Sequence, residues 1–280
     1  MLCFHNYGQE RPMSLEFHQI DAFTDQPFAG NPAIVYRLDR WLDEALMQRI
    51  AAEHNLAETA FVVKEGSAWH IRWFTPVSEV PLCGHATLAA AKVLFDIYRE
   101  PAEVLDFNCL SGALQVTRQG DRLELDFPVR RVELVVQPLH DQAERALERQ
   151  VEQVLALRNG DGSVQELMVV LGSEAELREL KPNLPALATL PGLGVLVTAG
   201  GQKHDFVSRY FAPSIGIDED PVTGSTHCML VPYWAERLGR TTLSAFQCSA
   251  RGGELLCRLE GERVRIAGHA RHIASGQLML

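Results

Sequence analysis

PLCGHAT at residues 81–87 and PVTGSTH at 221–227 carry a proline and a glycine in the same places, at an offset of 140 residues. Working outward, RWFTP (72–76) matches RYFAP (209–213) at an offset of 137, so the second copy has three extra residues before its glycine turn. Downstream, SGAL (111–114) and QGDRLELDF (119–127) match RGGE (251–254) and EGERVRIAG (260–268) at offsets of 140 and 141. Any one of these could be chance. Four in the same order make a duplication, with each copy reading strand, FxP, glycine turn, helix, glycine, strand, polar turn, strand.

The flanking pattern gives the halves their class. FHQIDAFT (17–24), AIVYRL (33–38), TAFVVKE (59–65), WHIRWFT (69–75), GALQVTR (112–118) and DRLELDFP (121–128) are β-branched or alternating runs bounded by Gly, Pro and Asp. LDEALMQRIAAEHNL (42–56) has helical spacing, and ATLAAAKVLFDIY (86–98) is apolar nearly all round, as a helix inside its own domain should be. In the second half VQELMVVLG (164–172), LGVLVTAG (193–200) and HDFVSRYFA (204–212) read as strands, with a short helix over SEAELREL (173–180). QPLHDQAERALERQVEQVLAL (137–157) reads as one charged amphipathic helix with a solvated outer face, and THCMLVPYWAERLG (226–239) as a helix kinked or started late by Pro232. The expectation is an α+β protein of two pseudo-symmetric domains, each a mainly antiparallel sheet wrapped around one central helix. One domain takes 14–128 plus a C-terminal strand at about 267–280, the other takes 129–266, and residues 1–13 form a loose leader.

Composition narrows the partners. The 280 residues are 46% hydrophobic and 22% charged, an ordinary globular balance. A net charge of -10 argues against a nucleic-acid backbone. No apolar run reaches the length of a membrane span, and the N-terminus lacks the basic and apolar regions of a secretory signal. The six cysteines (Cys3, Cys83, Cys109, Cys228, Cys248, Cys257) show no CxxC or paired spacing, which points to a reduced, cytoplasmic protein. GxGxxG, GxSxG and GxxxxGK[ST] are missing, so dinucleotide, serine-hydrolase and P-loop chemistry are not indicated. His54 and Glu58 are i, i+4, but with no HExxH and no third ligand no metal site is expected.

The glycine turns are the natural place for chemistry. Gly84 and Gly224 permit close backbone approach, and the next residues open helices whose free N–H groups attract an anion. If the twofold brings both turns together, one cavity faces two helix N-termini, a home for a carboxylate or an enolate-like charge. At matched positions the copies differ: Cys83 against Thr223, His85 against Ser225, Val80 against Asp220. His85 and Ser225 could equally be capping groups, Asp220 a turn residue, and Glu79 and Glu219 exposed turn charges. Glu58 sits where a helix meets an apolar strand; it reads as a helix-end charge or as a half-buried acid of raised pKa. Cys83, beside a helix N-terminus, is the cysteine best placed to be a thiolate.

DAFTDQPFAGNPAIV (21–35), NLAETAFVV (55–63), FTPVSEVPLCGHATLAAA (74–91) and DEDPVTGST (218–226) together resemble the phenazine-biosynthesis PhzF family, relatives of diaminopimelate epimerase, from about residue 17 to the C-terminus. The resemblance implies the diaminopimelate epimerase-like fold with its site between the domains, a homodimer, and no cofactor. It places the proton-shuttling glutamate on Glu58 and the supporting groups on His85, Asp220 and Ser225. Gly84, Cys83, Thr223, Gly224 and Thr226 fall around a small anionic substrate, bound by the amides of Gly84 and residues 224–226. In the epimerase relatives each glycine turn carries a cysteine, and here only Cys83 remains, which favours a single-glutamate isomerase acting on a small carboxylate. The alternatives are an epimerase or racemase using Cys83 and a non-catalytic metabolite-binding protein.

Overall fold

The computed structural model describes residues 14–280, so the leader at 1–13 lies outside the described residues. The first half runs β1 (Ser14–Ala22), β2 (Asn31–Leu38), α1 (Glu44–His54), β3 (Glu58–Glu65), β4 (Ala68–Phe74), β5 (Glu79–Val80), α2 (Gly84–Lys92), β6 (Val104–Cys109), β7 (Gly112–Gln119) and β8 (Arg122–Pro128). The second runs β9 (Glu133–Leu134), α3 (Leu139–Leu147), β10 (Gln153–Arg158), β11 (Val164–Val170), α4 (Glu174–Glu179), α5 (Leu184–Leu187), β12 (Val195–Gly200), β13 (Phe206–Ala212), β14 (Ile217–Asp220), α6 (His227–Leu238), β15 (Thr242–Gln247), β16 (Gly253–Glu260) and β17 (Arg263–Gly268), and β18 (Ala270–Met279) ends the chain.

The strand pairing repeats as the sequence does. In the first half β1–β2 is antiparallel, β2–β3 parallel, β3–β4 antiparallel, β4–β6 parallel, and β6–β7–β8 antiparallel. The second half gives β10–β11, β11–β12, β12–β13, β13–β15 and β15–β16–β17 with the same alternation. The halves join where β8 runs antiparallel to β17, with Leu125 opposite Ile266, its own repeat counterpart. At the far edges β18 pairs with β1 and β9 with β10. The molecule is an α+β fold of two pseudo-symmetric domains.

Each sheet wraps a helix that the sequence marks. Every residue of α2 from Gly84 to Ala91 is buried, and its alanines let β1, β2, β3 and β8 close in on it. The helix continues as a π turn over Val93–Ile97. Its counterpart α6 begins at His227, after a 3-10 turn over Gly224–Thr226, and Pro232 lies inside it. Pro232 has no N–H for the Cys228 carbonyl, and the backbone N–H of Arg130 takes that place at 3.0 Å.

The single helix expected over 137–157 is two elements. Glu148, in the left-handed conformation at φ 53°, ends α3, and 153–158 is β10. Val154 to Leu157 are buried on both faces of that strand, and a strand covered on both sides reads like a helix segment. Strand β6, which the sequence reading does not mark, alternates Leu105 and Phe107 inward with Val104, Asp106 and Asn108 outward. Among the described residues no helix is long and apolar enough to cross a membrane.

Candidate active site

The two glycine turns meet. A Cβ on Gly84 would lie 3.6 Å from the Cα of Gly224, and one on Gly224 3.7 Å from the Cα of Gly84. The rings of Phe127 and Phe23 close the sides of this contact, so the junction has an apolar floor. Cys83 and Thr223 hold the N-cap positions, and neither side chain caps its helix, so among the described residues the first N–H groups of both turns are left without that cap.

Identical clamps hold the turns. Nε and Nη2 of Arg72 grip both oxygens of Glu79 at 2.7 and 2.6 Å, and Arg209 grips Glu219 in the same way at 2.8 and 2.9 Å. Glu79 and Glu219 are therefore not loose turn charges; bidentate pairing fixes β5 and β14, from which the turns spring. Both helices also bond a side chain back to the N-cap carbonyl: Thr87 Oγ1 donates to Cys83 O, and His227 Nδ1 lies 3.0 Å from Thr223 O.

Across this frame lies one cluster of polar groups. Glu58 opens β3 immediately after the helix-ending turn at Asn55, so it is half-buried rather than free. Its Oε2 stands 3.1 Å from Nε2 of His85, which is 4% exposed. The separation is that of an ion pair, but the angle is not that of a hydrogen bond, and both atoms keep capacity for a ligand. His85 Nδ1 faces Cys83 Sγ at 3.5 Å. Burial opposes charge on His85, but Cys83 Sγ, as an acceptor at Nδ1, and the Glu58 carboxylate outweigh it and hold the imidazole well above its usual pKa. His85 makes no helix cap; its ring lies beside Glu58, Cys83 and Asn31.

The second half contributes Asp220, at the end of β14 and buried. Burial first, then the negative charge of Glu58, raises its pKa, against the pull of His85, Thr223 and Asn31. Thr223 Oγ1 donates to Asp220 Oδ2. Ser225 is half-buried in the 3-10 turn, and its hydroxyl makes no hydrogen bond among the described residues. Thr226 is buried with its hydroxyl on Thr223 O at 2.8 Å, so only its amide can face a ligand.

Two amides complete the cluster and were not singled out from the sequence. Asn31 Nδ2 donates to Asp220 Oδ1 at 2.8 Å and Val222 O at 2.9 Å and lies 3.2 Å from His85 Nδ1, joining both halves. Gln247 accepts from the Thr223 amide and donates to Asp220 O, each at 2.8 Å. Asn31 is the first residue of a strand and precedes Pro32, where a polar amide earns attention; Gln247 had no such signal.

Cys83 departs from expectation. It is 6% exposed, and burial, aided by the charge of Glu58, pushes its thiol up to about 11, overriding His85 and the helix terminus. His54 is turned away from Glu58, with Nε2 2.7 Å from the Tyr36 hydroxyl. The donor atoms of Glu58, Cys83 and His85 do lie within 4.8 Å of one another, close enough to share a cation, as do those of His140, Asp141 and Glu144 on α3.

The family model described as phenazine biosynthesis-like protein, PhzC-PhzF, matches residues 20–276. The chain belongs to the PhzC-PhzF family. Within that family it is 59% identical to an uncharacterized isomerase of Pseudomonas aeruginosa, over 96% of this chain and 100% of the relative. A crystal structure of a PhzF-family protein from Enterococcus faecalis superposes with a TM-score of 0.88 at 45% identity, covering 96% of this chain and 100% of that one. A predicted epimerase of P. aeruginosa, at 22% identity and a TM-score of 0.75 over 95% and 99% of the two chains, shares the fold.

Proposed function

We propose that this PhzC-PhzF protein is a cofactor-independent isomerase that moves a proton between carbons of a small carboxylate-bearing metabolite, with Glu58 as acid and base. The observation that carries the reading is the meeting of Glu58 and His85 across one face of a junction where two uncapped turns abut. A substrate carboxylate, or the charge that develops when a C–H bond is broken, is stabilised by the amides of Gly84 and of the Gly224–Thr226 turn. Glu58 takes the proton from carbon. His85, protonated and with its Nδ1 facing Cys83 Sγ, stands beside Glu58 and offsets the anion as it forms. Asp220, fixed by Asn31, Thr223 and Gln247, orients the second half, and Ser225 has a free hydroxyl for the substrate. Glu58, now neutral, returns the proton to another carbon. The isomerase names of the family relatives fit this assignment.

The test is proton exchange at carbon. In D2O the wild type is incubated with 2,3-dihydro-3-hydroxyanthranilate and a panel of small hydroxy and amino acids, and deuterium in recovered carboxylates is followed by NMR. Enzyme-dependent deuteration of at least one compound is expected, lost in Glu58→Gln, which keeps shape and removes the base. Undiminished exchange in Glu58→Gln overturns the assignment.

A further inference from the structure

The repeat and the strand registers together give each inner-face residue a counterpart. Phe74 and Phe211 are matched in sequence; across their ladders Phe74 pairs with Thr59 and Phe211 with Val195, so Glu58 corresponds to Gly194. One strand further, Ile34 lies beside Thr59 and Leu167 beside Val195, so Ala33 corresponds to Glu166. The pair Ala33 and Glu58 of the first half, with Trp73 diagonally beside it, thus becomes Glu166 and Gly194 in the second, with Tyr210 in the diagonal place. The carboxyl has moved across by one strand, about 4.8 Å.

Glycine leaves the vacated place open and Tyr210 fills it: a Cβ on Gly194 would lie 2.4 Å from the Tyr210 hydroxyl. That hydroxyl donates to both oxygens of Glu166, at 2.9 and 3.1 Å. Tyr210 also sits directly opposite Asp220 in the β13–β14 ladder. Residues so paired stand on one face of a sheet with Cβ atoms about 5 Å apart. The phenol that holds the buried carboxyl thus belongs to the residue standing beside Asp220 on the same face of the sheet.

We propose that Glu166 and Tyr210 are positioning residues that form a second proton-holding unit of this site, placed in the second half where the first carries Glu58, and that its charge sets the protonation of Asp220 and His85. The inference rests on Asp220 and His85 belonging to the site. Burial pushes the Glu166 carboxyl up to about 7, with the Tyr210 hydroxyl, Arg130 and the Gly194 amide pulling the other way. Tyr210 and Arg130 are the ionisable groups that face it; its other neighbours are Leu157 on β10 and Gly194, the residue before β12. Tyr210 in turn feels the negative charge of both Glu166 and Asp220. Near neutrality the unit therefore changes from neutral to singly negative beside Asp220.

The experiment needs no substrate. Protein carrying 13C-carboxyl Glu and Asp and 15N-imidazole His is titrated from pH 5 to 9 by NMR. One glutamate carboxyl is expected to titrate with a midpoint near 7 and to vanish in Glu166→Gln. Tyr210→Phe moves the midpoint upward, because the phenol donates to the ionised form. The Asp220 carboxyl and the His85 nitrogens are expected to record the same step, lost in Glu166→Gln. Titration of Glu166 in the ordinary carboxylate range overturns the proposal, as does a step near 7 to which Asp220 and His85 are silent; both can be read in wild type and Tyr210→Phe should Glu166→Gln not fold. Exchange at carbon in Glu58→Gln tests the underlying reading separately.

Discussion

The two glycine turns share their carpentry and differ in their chemistry. Both are anchored by a bidentate Arg–Glu clamp, both bond a side chain back to the N-cap carbonyl, and their glycines touch. On that common frame the first turn carries Cys83 and His85 and starts its α-helix at once, while the second carries Thr223 and Ser225 and passes through a 3-10 turn first. The rings beside them differ too. Phe127 flanks Gly84, but its counterpart in the second half is Gly268, and Phe23 from the first half takes the space, since a Cβ there would lie 2.5 Å from its ring. Duplication supplied two equivalent, abutting helix ends, and divergence put the ionisable pair on one and hydroxyl groups on the other.

Breaking each turn should show that asymmetry. His85→Gln removes the cation beside Glu58 and is expected to lower turnover on the order of 10²–10³-fold, whereas Ser225→Ala, deleting one hydrogen bond, should cost about tenfold. Equal losses in steady-state kcat/KM would contradict the division of labour.

The buried acid of the second half gives the next largest effect. Glu166 rises to about 7 in the folded chain. The folded protein therefore holds a proton that the unfolded chain releases above its ordinary glutamate range, so this contribution is present at pH 4 and lost as pH rises through 7. Glu166→Gln is expected to be more stable than wild type by roughly 2–3 kcal/mol at pH 8 and nearly equal to it at pH 4, as read from urea midpoints.

Arg72→Lys and Arg209→Lys each break a bidentate pair, at about 1–2 kcal/mol. Arg209→Lys should be the costlier, because its further partners are the part-buried carbonyls of Leu177 and Leu180, whereas that of Arg72 is the exposed carboxylate of Glu44. Smallest of all is Cys83→Ala: a thiol held up near 11 is protonated at neutral pH, and its loss should change kcat less than about threefold.

Much of this is legible in the sequence. The duplication, the all-apolar helix α2 and the pairing of Cys83 with Thr223 and His85 with Ser225 follow from spacing, because a repeat preserves register even where side chains change. Segment 137–157 misled because nothing in it announces the left-handed turn at Glu148, and a strand buried on both faces has no period of its own. Asn31 and Gln247 were missed for another reason. Their work lies in contacts with residues far along the chain, Asp220 being 189 positions from Asn31, and an amide leaves no local trace of such a partner. Glu166 did leave one: within VQELMVV it shares the inward face with Met168 and Val170, an ionisable group where alternation demands an apolar one.

On the proposed reading a single carboxylate on the first half, and not the neighbouring thiol, moves the proton. Deuterium incorporation at carbon in D2O, compared between Glu58→Gln and Cys83→Ala under identical conditions, tests it most directly. Exchange is expected to fall by on the order of 10²–10⁴-fold in Glu58→Gln and to persist in Cys83→Ala. Loss of exchange in Cys83→Ala with Glu58→Gln still active would contradict the claim and restore the thiol as the base.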